Sequence, residues 1–262
     1  MYSAERRQEI LLLLEQKSRV SVDHLAVHFG VSRSSIRRDL SQLHDHGLLT
    51  RTYGGAVALN GTGYNTASHS PGEAPFTERQ VAHFAEKDRL GRAAALLIAE
   101  DDTVFIDGGT TTECMLPYLA DKHITVVTYG LNIINRLNLY PHVTLIAIGG
   151  ALHRYSQTFS GVLALSSLEA YNMHYDKTFM AASGVSALAG ITNASLEEVP
   201  IKRKAFEAGQ QNILLADASK IGVVRAGFIA PLRAAARLVT GCGAPAQEVD
   251  AIRALGVVVD MV

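Results

Sequence analysis

The segment FIDGGTTTE, residues 105–113, combines residue types that can hold an anion. Its apolar run ends at Asp107, and two glycines and three threonines follow. A glycine turn lets the backbone approach a ligand closely, and the free N–H groups at the start of a following helix attract negative charge. We therefore predict an anion-binding turn that leads into a helix from Thr110 to Leu119. A glycine turn capped by threonine, with nothing bound, is the alternative.

The segment VSRSSIRRDL, residues 31–40, carries chemistry suited to DNA. Ile36, Leu40 and Leu43 recur at the spacing of one helix face, which predicts that they are buried. Hydroxyl and guanidinium groups then lie on the opposite face and its flanks, where they can contact phosphates and base edges in a major groove. A module that packs on a protein partner is the alternative. The predicted DNA-binding residues are Arg33, Ser34, Ser35, Arg37, Arg38, Ser41 and Arg51.

Three helices and a hairpin must position those residues. We predict helices over residues 3–16 and 22–29, and a third helix that Ser32 caps. Gly30 separates the second helix from the third, as the turn of a helix-turn-helix requires. Residues 47–57 contain two short strand-like pieces with glycines, which indicates a β-hairpin wing beside the third helix.

The chain is predicted to divide into two domains. Residues 58–75 are crowded with Gly, Ser, Thr, Asn and Pro and lack apolar periodicity, which is typical of a linker. After the linker, β-rich apolar segments alternate with helical ones, a pattern that favours a largely parallel sheet wrapped by helices. The predicted fold class is therefore α/β, with a winged helix-turn-helix domain over residues 1–57. A Rossmann-like α/β effector domain with a mostly parallel sheet follows over residues 76–262.

The carboxyl ends of parallel strands lie along one edge of a sheet, where open α/β folds form their ligand crevice. Glu198 and Lys202 are spaced i, i+4, so an ion pair on the surface of one helix is the alternative for them. Pro200 lies between them and predicts that the helix begins near Val199 or Pro200. The predicted effector-binding residues are Asp107, Gly108, Gly109, Thr110, Thr111, Thr112, Thr128, Asn132, Gly149, Gly150, Gly184, Glu198, Lys202 and Lys220.

Composition narrows the class of protein. The chain has 262 residues, 48% of them apolar, which is enough to bury a sizeable core. Its two cysteines, Cys114 and Cys242, are far apart, so we predict no metal site and no disulfide, and a reducing cytoplasm fits best. No apolar run approaches the ~20 residues that cross a bilayer, so no membrane partner is expected. The net charge is −1, and residues 1–60 carry a small basic surplus.

The run VSVDHLAVHFGVSRSSIRRDLSQLHDHGLLTRTYGGAV, residues 20–57, closely resembles the winged helix-turn-helix of the DeoR-type bacterial transcriptional repressors. Ser35 stands where that family usually has Thr, and Tyr53 stands where it usually has His. Both differences are mild, and they affect the operator sequence more than DNA binding itself.

The chain from Phe76 onward resembles the effector domain of the same family, which is similar to sugar-phosphate isomerases of the ribose-5-phosphate type. The matching segments are Lys87, residues 94–98, DGGTTT at 107–112, residues 128–132, Gly149–Gly150, residues 184–192, residues 198–202 and LLADASK at 214–220.

The resemblance implies a repressor of a carbohydrate catabolic operon that a phosphorylated sugar releases from operator DNA. Asp107, Gly109, Thr110 and Thr111 would cradle the phosphate, and Lys220 would be a second charged contact. A homo-oligomer, dimer or tetramer, is expected because paired half-sites multiply the affinity of one module. No cofactor is implied. Two alternatives stay open: an isomerase-like enzyme with an accessory DNA-binding module, and a protein-interaction adaptor that has no salt-sensitive affinity for DNA.

Overall fold

The computed structural model describes residues 3–17, 19–52, 54–57 and 73–262. They form two compact units: residues 3–57 group with residues 77–85, and residues 73–76 group with residues 86–262. Most of the predicted linker, residues 58–72, lies outside the described residues, as does Tyr53 of the predicted wing.

The first unit contains the three predicted helices and the predicted hairpin, and it adds one short strand. Ser21 and Ser32 cap α2 and α3 by accepting hydrogen bonds from the backbone N–H groups of His24 and Ser35, and Gly30 ends α2 with a φ of 63°. The strands pair antiparallel in the order β1-β3-β2. The elements are α1 (Ser3–Lys17), β1 (Arg19–Ser21), α2 (Val22–Phe29), α3 (Arg33–Asp45), β2 (Thr50–Thr52) and β3 (Gly55–Val57).

A buried ion pair joins the first and third helices of this unit. Arg6 Nε on α1 lies 2.6 Å from Asp39 Oδ2 on α3, and both side chains are buried. Ile36, Leu40 and Leu43 are buried as predicted, on the face of α3 that packs into the core. The ion pair and the apolar face together fix the rotation of α3 about its axis.

The remaining helices and strands follow the sequence-predicted alternation. The helices are α4 (Phe76–Val81), α5 (Phe84–Ala95), α6 (Thr110–Glu113), α7 (Leu131–Leu137), α8 (Val162–Tyr171), α9 (Val199–Ala208) and α10 (Ala246–Ala254). The strands are β4 (Thr103–Ile106), β5 (Ile124–Thr128), β6 (Val143–Ala147), β7 (Ala151–His153), β8 (Thr158–Ser160), β9 (Tyr175–Ala181), β10 (Gly184–Ser186), β11 (Gly190–Asn193), β12 (Gly209–Ala216), β13 (Gly227–Ala230), β14 (Arg237–Thr240) and β15 (Val258–Met261).

Seven strands form one parallel sheet in the order β15-β14-β12-β9-β4-β5-β6, which confirms the predicted α/β fold class. Alternate residues enter two apolar cores on opposite faces, with Phe105 and Met180 in one core and Ile106 and Phe179 in the other. The chain runs outward from β4 through β5 to β6, then returns to β9 and continues the other way. The order therefore reverses between β4 and β9.

Two smaller antiparallel sheets, β7-β8 and β10-β11-β13, complete the second unit. The predicted helix from Thr110 to Leu119 is wrong in length, because α6 ends at Glu113 and a short 3-10 helix covers Leu116–Tyr118. Pro117 has no N–H to continue an α-helix at this point. Among the described residues, no helix is long and apolar enough to span a membrane.

Candidate nucleic-acid interface and effector site

The outer face of α3 presents two arginines to solvent. Arg37 and Arg38 are exposed, and neither makes a hydrogen bond or an ion pair within the part of the chain that the structure describes. Ser34 is also exposed on this helix, near its N-terminus. An exposed helix N-terminus with hydroxyls and unpaired guanidinium groups matches the docking geometry of a recognition helix in a major groove.

The other predicted DNA-binding residues have partners within the unit. Arg33 pairs with Asp23 at 2.7 Å, with both side chains largely exposed. Arg51 Nη1, on the wing, donates to Ser41 Oγ on α3 at 2.7 Å. An exposed ion pair is worth only about 0–1 kcal/mol, so a DNA phosphate can replace Asp23 at little cost.

Ser32, at the start of α3, organises the two serines that follow it. The hydroxyls of Ser34 and Ser35 lie 2.8 and 2.9 Å from Ser32 Oγ. The three hydroxyls therefore form one hydrogen-bonded group at the end of the helix that is predicted to meet DNA.

In the second unit, Asp107 follows β4 at the point where the strand order reverses. Its carboxylate is buried and accepts three hydrogen bonds. Oδ1 accepts from the Tyr129 hydroxyl at 2.5 Å, and Oδ2 accepts from Lys202 Nζ at 2.8 Å and from the Ala181 backbone N–H at 3.0 Å. Residues from two neighbouring strand ends and from helix α9 thus converge on one carboxylate, where open α/β folds form their crevice.

Lys202 and Glu198 complete a buried charge cluster. Helix α9 begins at Val199, as Pro200 predicted. Lys202 Nζ also donates to the Ala181 carbonyl at 2.9 Å and lies 4.0 Å from Glu198 Oε2, so its shortest ion pair is with Asp107 and not with its helical neighbour. The alternative of a surface ion pair is wrong, since Glu198 and Lys202 are both buried.

Glu198 is held by two neutral donors in addition to the lysine. The Thr158 hydroxyl donates to Glu198 Oε1 at 3.2 Å, and Asn193 Nδ2 donates to Oε2 at 3.3 Å. The Thr158 hydroxyl lies 2.7 Å from Ser156 Oγ, which extends the polar network towards His153.

Tyr129 stays neutral in this cluster. Burial, and then the negative charge of Asp107, raise the pKa of Tyr129 well above its ordinary value, with smaller contributions from Glu198 and Glu73. The phenol therefore remains a hydrogen-bond donor to Asp107 at any pH near neutrality. The cluster holds one lysine against two carboxylates, Asp107 and Glu198, at its centre.

The glycine turn packs tightly beside this cluster. A Cβ on Gly109 would lie 2.5 Å from the Ala181 Cβ, and one on Gly108 would lie 2.6 Å from Thr158 Cγ2. A Cβ on Gly130 would lie 2.5 Å from the Gly108 Cα, so the loops after β4 and β5 are in direct contact. Glycine is required here for close approach of neighbouring chain segments.

The three threonines after the turn differ in what their hydroxyls do. Thr112 Oγ1 donates to the backbone carbonyls of Asp107 and Gly109, so this hydroxyl closes the turn. Thr110 Oγ1 accepts from the buried Lys87 ammonium at 3.1 Å. The Thr111 hydroxyl makes no hydrogen bond within the described residues, which leaves it the best placed of the three for a ligand.

Two of the other predicted residues, Thr128 and Asn132, lie at the end of β5 and shortly after it. Thr128 Oγ1 accepts from the Gly130 backbone N–H at 3.1 Å. Both polar atoms of the Asn132 amide are buried and have no hydrogen-bond partner among the described residues. A buried side-chain amide without hydrogen bonds destabilises the folded state unless a ligand or a water molecule bonds to it.

The remaining predicted residues lie in other surroundings. Gly149 is exposed, and a Cβ on Gly150 would meet the Ser160 carbonyl. A Cβ on Gly184 would meet the Val223 carbonyl. Lys220 Nζ lies 3.0 Å from Ser219 Oγ and 4.0 Å from Asp217, and no hydrogen bond within the described chain joins it to the central cluster.

Sequence reasoning missed several members of the cluster. Lys87 was noticed as part of a family pattern but was not assigned to the site, and Tyr129 directly follows the predicted strand end at Thr128. Thr158 and Asn193 are not among the predicted residues: Thr158 reaches Glu198 from 40 residues away, and Asn193 lies at the end of the short strand β11.

Both parts of the chain match known family models. Residues 6–62 match the DeoR-like helix-turn-helix domain, and residues 82–241 match the DeoR C terminal sensor domain. The chain belongs to the DeoR family. The DeoR family members are transcriptional regulators, so this protein is a DNA-binding transcriptional regulator and not an enzyme.

Similar regulators match over nearly their whole length. The HTH-type transcriptional regulator IolR of Bacillus subtilis is 34% identical over 83% of this chain and 82% of its own. The putative aga operon transcriptional repressor of Escherichia coli O157:H7 is 32% identical over 99% of this chain and 94% of its own. The glycerol-3-phosphate regulon repressor of Escherichia coli K12 is 30% identical over 85% of this chain and 84% of its own.

Proposed function

We propose that this DeoR-family regulator represses a carbohydrate operon in the cytoplasm and that a phosphorylated sugar releases it from operator DNA. The names of two similar proteins refer to the aga operon and to the glycerol-3-phosphate regulon, which supports a carbohydrate or polyol phosphate as the effector. The exposed, unpaired arginines of α3 support direct contact with the operator.

The buried Asp107–Lys202–Glu198 cluster at the reversal of strand order is the observation that carries the effector proposal. Carboxylate oxygens accept and an ammonium group donates, so the cluster offers the complementary partners that sugar hydroxyls need. A crevice with a few convergent polar groups is the expected form of a small-molecule site.

The phosphate is assigned to the glycine turn, which begins at Asp107 and adjoins the cluster. Asp107 carries the same sign of charge as a phosphate and is already bonded to three donors, so its role is to hold Lys202. The backbone N–H groups of the turn, the Thr111 hydroxyl and the Lys87 ammonium beside Thr110 supply the donors. Contacts from Thr128, Asn132, Gly149, Gly150, Gly184 and Lys220 remain predictions.

Release requires that the effector bind the DNA-incompetent state more tightly than the competent one. A homo-oligomer would place two winged helices on paired half-sites of the operator. A modest loss of DNA affinity in each winged helix would then cause a large loss of DNA affinity in the whole assembly.

A thermal-shift screen tests the effector. We expect a phosphorylated sugar to raise the melting temperature, and its unphosphorylated form to have little effect, because the phosphate supplies the charged contact. A ligand at 100 times its Kd stabilises the native state by about 2.7 kcal/mol. Thr111→Val should reduce the shift, whereas Thr144→Val, an exposed threonine on β6, should not. If no phosphorylated sugar shifts the native protein, the proposed effector class is wrong.

A further inference from the structure

Residues 73–76, here called the docked segment, are fixed to the sensor unit by hydrogen bonds on both sides of one tyrosine. The Phe76 backbone N–H donates to the Tyr155 carbonyl at 3.1 Å, and the Tyr155 hydroxyl donates to the Glu73 carbonyl at 2.5 Å. Phe76 and Tyr155 are both buried. The chain continues from this segment into residues 77–85, which group with the DNA-binding unit.

The Glu73 side chain reaches the polar network of the effector site. Its Oε1 accepts from the Ser183 hydroxyl at 3.0 Å, and Ser183 Oγ lies 3.3 Å from Asn193 Oδ1. Asn193 in turn donates to Glu198 Oε2 at 3.3 Å. The negative charge of Glu73 is also close enough to contribute to the raised pKa of Tyr129.

The carboxylates of Asp107, Glu198 and Glu73 therefore contribute negative charge to one site. They differ in the contacts that hold them in place. Asp107 ends a central strand and is bonded to three donors, and Glu198 caps α9. Glu73 is only partly buried and lies on a stretch without regular secondary structure. It is thus the carboxylate that can leave the site without disturbing the sheet or a helix.

We propose that Glu73 is a tethered anion that competes with the phosphate of the effector, so that effector binding expels the docked segment. This inference rests on the proposed effector site. Like charges repel most strongly where protein excludes water, so Glu73 and a phosphate cannot both remain beside Asp107 and Glu198 at low cost. The docked segment leads directly into residues that group with the DNA-binding unit. Its release would therefore couple effector binding to operator affinity through the polypeptide chain itself.

The test measures the affinity of the full-length protein for inorganic phosphate by calorimetry. Glu73→Gln keeps an acceptor for Ser183 but removes the charge, so we expect its Kd for phosphate to fall about tenfold, equivalent to about 1.4 kcal/mol. Ser183→Ala, which removes the donor that holds Glu73, should lower the Kd in the same direction. Glu207→Gln, an exposed carboxylate on α9, is the matched control and should leave the Kd unchanged.

Hydrogen exchange at the Phe76 amide gives a second readout, because that amide donates to the Tyr155 carbonyl in the docked segment. Saturating phosphate should accelerate its exchange in the native protein. The role of Glu73 is overturned and the effector site stands if Thr111→Val weakens phosphate binding but either of two results is found. The first is an equal Kd in native protein and Glu73→Gln, and the second is that saturating phosphate does not accelerate Phe76 exchange. If Thr111→Val does not weaken phosphate binding, or no protein binds phosphate, the effector site fails and this inference fails with it.

Discussion

At the scale of residues, the sensor unit depends on a charge pair that is almost entirely removed from water. The side chains of Lys202 and Asp107 are 4% and 1% exposed. Breaking such a pair by removing one charge leaves the other buried and uncompensated, which typically costs about 3–5 kcal/mol. The backbone N–H of Ala181 and the Tyr129 hydroxyl both donate to Asp107. They therefore reduce the cost of removing Lys202 but not the cost of removing the Asp107 charge.

We predict that Asp107→Asn lowers the free energy of unfolding by about 1–3 kcal/mol, because the Lys202 ammonium would lose its nearer carboxylate and keep only Glu198 at 4.0 Å. Urea denaturation of the full chain measures the change. Asp250→Asn removes one partner of an exposed pair with Arg253 and should stay within about 0.5 kcal/mol of the native protein. Similar losses in the two variants would show that the buried pair is not a main source of stability.

The sequence predicts part of this cluster and misses the rest for a physical reason. Asp107 is predictable because it follows a strand end in an anion-binding turn, and Glu198 and Lys202 are predictable from their charges and from the family pattern that they match. Thr158 and Asn193 could not be predicted, since their positions depend on how short antiparallel strands fold over the sheet edge.

At the scale of elements, α3 combines a buried face with an exposed one, and the two faces have separate tasks. Its buried face is fixed by Leu40, Leu43 and the Asp39–Arg6 pair, so a change on the outer face should leave the fold intact. Arg38 is on that outer face and is unpaired within the described residues.

We predict that Arg38→Ala weakens operator binding by about 1–3 kcal/mol if the arginine contacts a base. A contact to phosphate would instead reduce the slope of log affinity against log salt by about 1. Fluorescence anisotropy of an operator fragment at several salt concentrations measures both quantities. Arg233→Ala, an exposed arginine of the sensor unit, is the matched control. An unchanged affinity and slope in Arg38→Ala would exclude this side chain from the interface.

Helices and caps of this unit were predictable because Ser21, Ser32 and Gly30 give local signals. Strand β1 was not, since it has three residues and exists only through pairing with β3, more than thirty residues later. The predicted length of α6 was also wrong, because Pro117 has no N–H to continue an α-helix.

At the scale of the whole molecule, buried tyrosines make stability depend on alkaline pH. Burial raises the pKa of Tyr175 to about 12, whereas an unfolded tyrosine ionises near pH 10. The folded state therefore favours the neutral phenol. The contribution of the neutral Tyr175 phenol to the stability of the folded state is fully present below pH 10. It is lost as pH rises from 10 through 12, where the unfolded state binds fewer protons than the folded state.

We predict that the native protein loses about 1.4 kcal/mol of stability between pH 9 and pH 11 through Tyr175 alone. Tyr175→Phe should remove this part of the loss, while Tyr171→Phe, which changes an exposed tyrosine, should retain it. Urea unfolding at the two pH values measures the difference. Equal losses in native protein and Tyr175→Phe would show that the phenol ionises without unfolding.

The parallel sheet was predictable from the alternation of apolar strands and helices, but its strand order was not. Strands β4 and β9 are adjacent although about seventy residues separate them, and no local pattern records that pairing. The reversal of strand order, which places Asp107 beside Ala181, therefore required the structure.

The long-range contact between Asp107 and Lys202 also limits when the buried cluster can form during synthesis of the chain. The last residue that groups with the DNA-binding unit is Ala85, whereas the buried cluster includes Lys202, which the ribosome adds 117 residues later. At ~5–20 residues per second, that interval is roughly 6–23 s. During this interval a nascent chain has all residues that group with the DNA-binding unit but does not yet have Lys202, which is part of the proposed effector site.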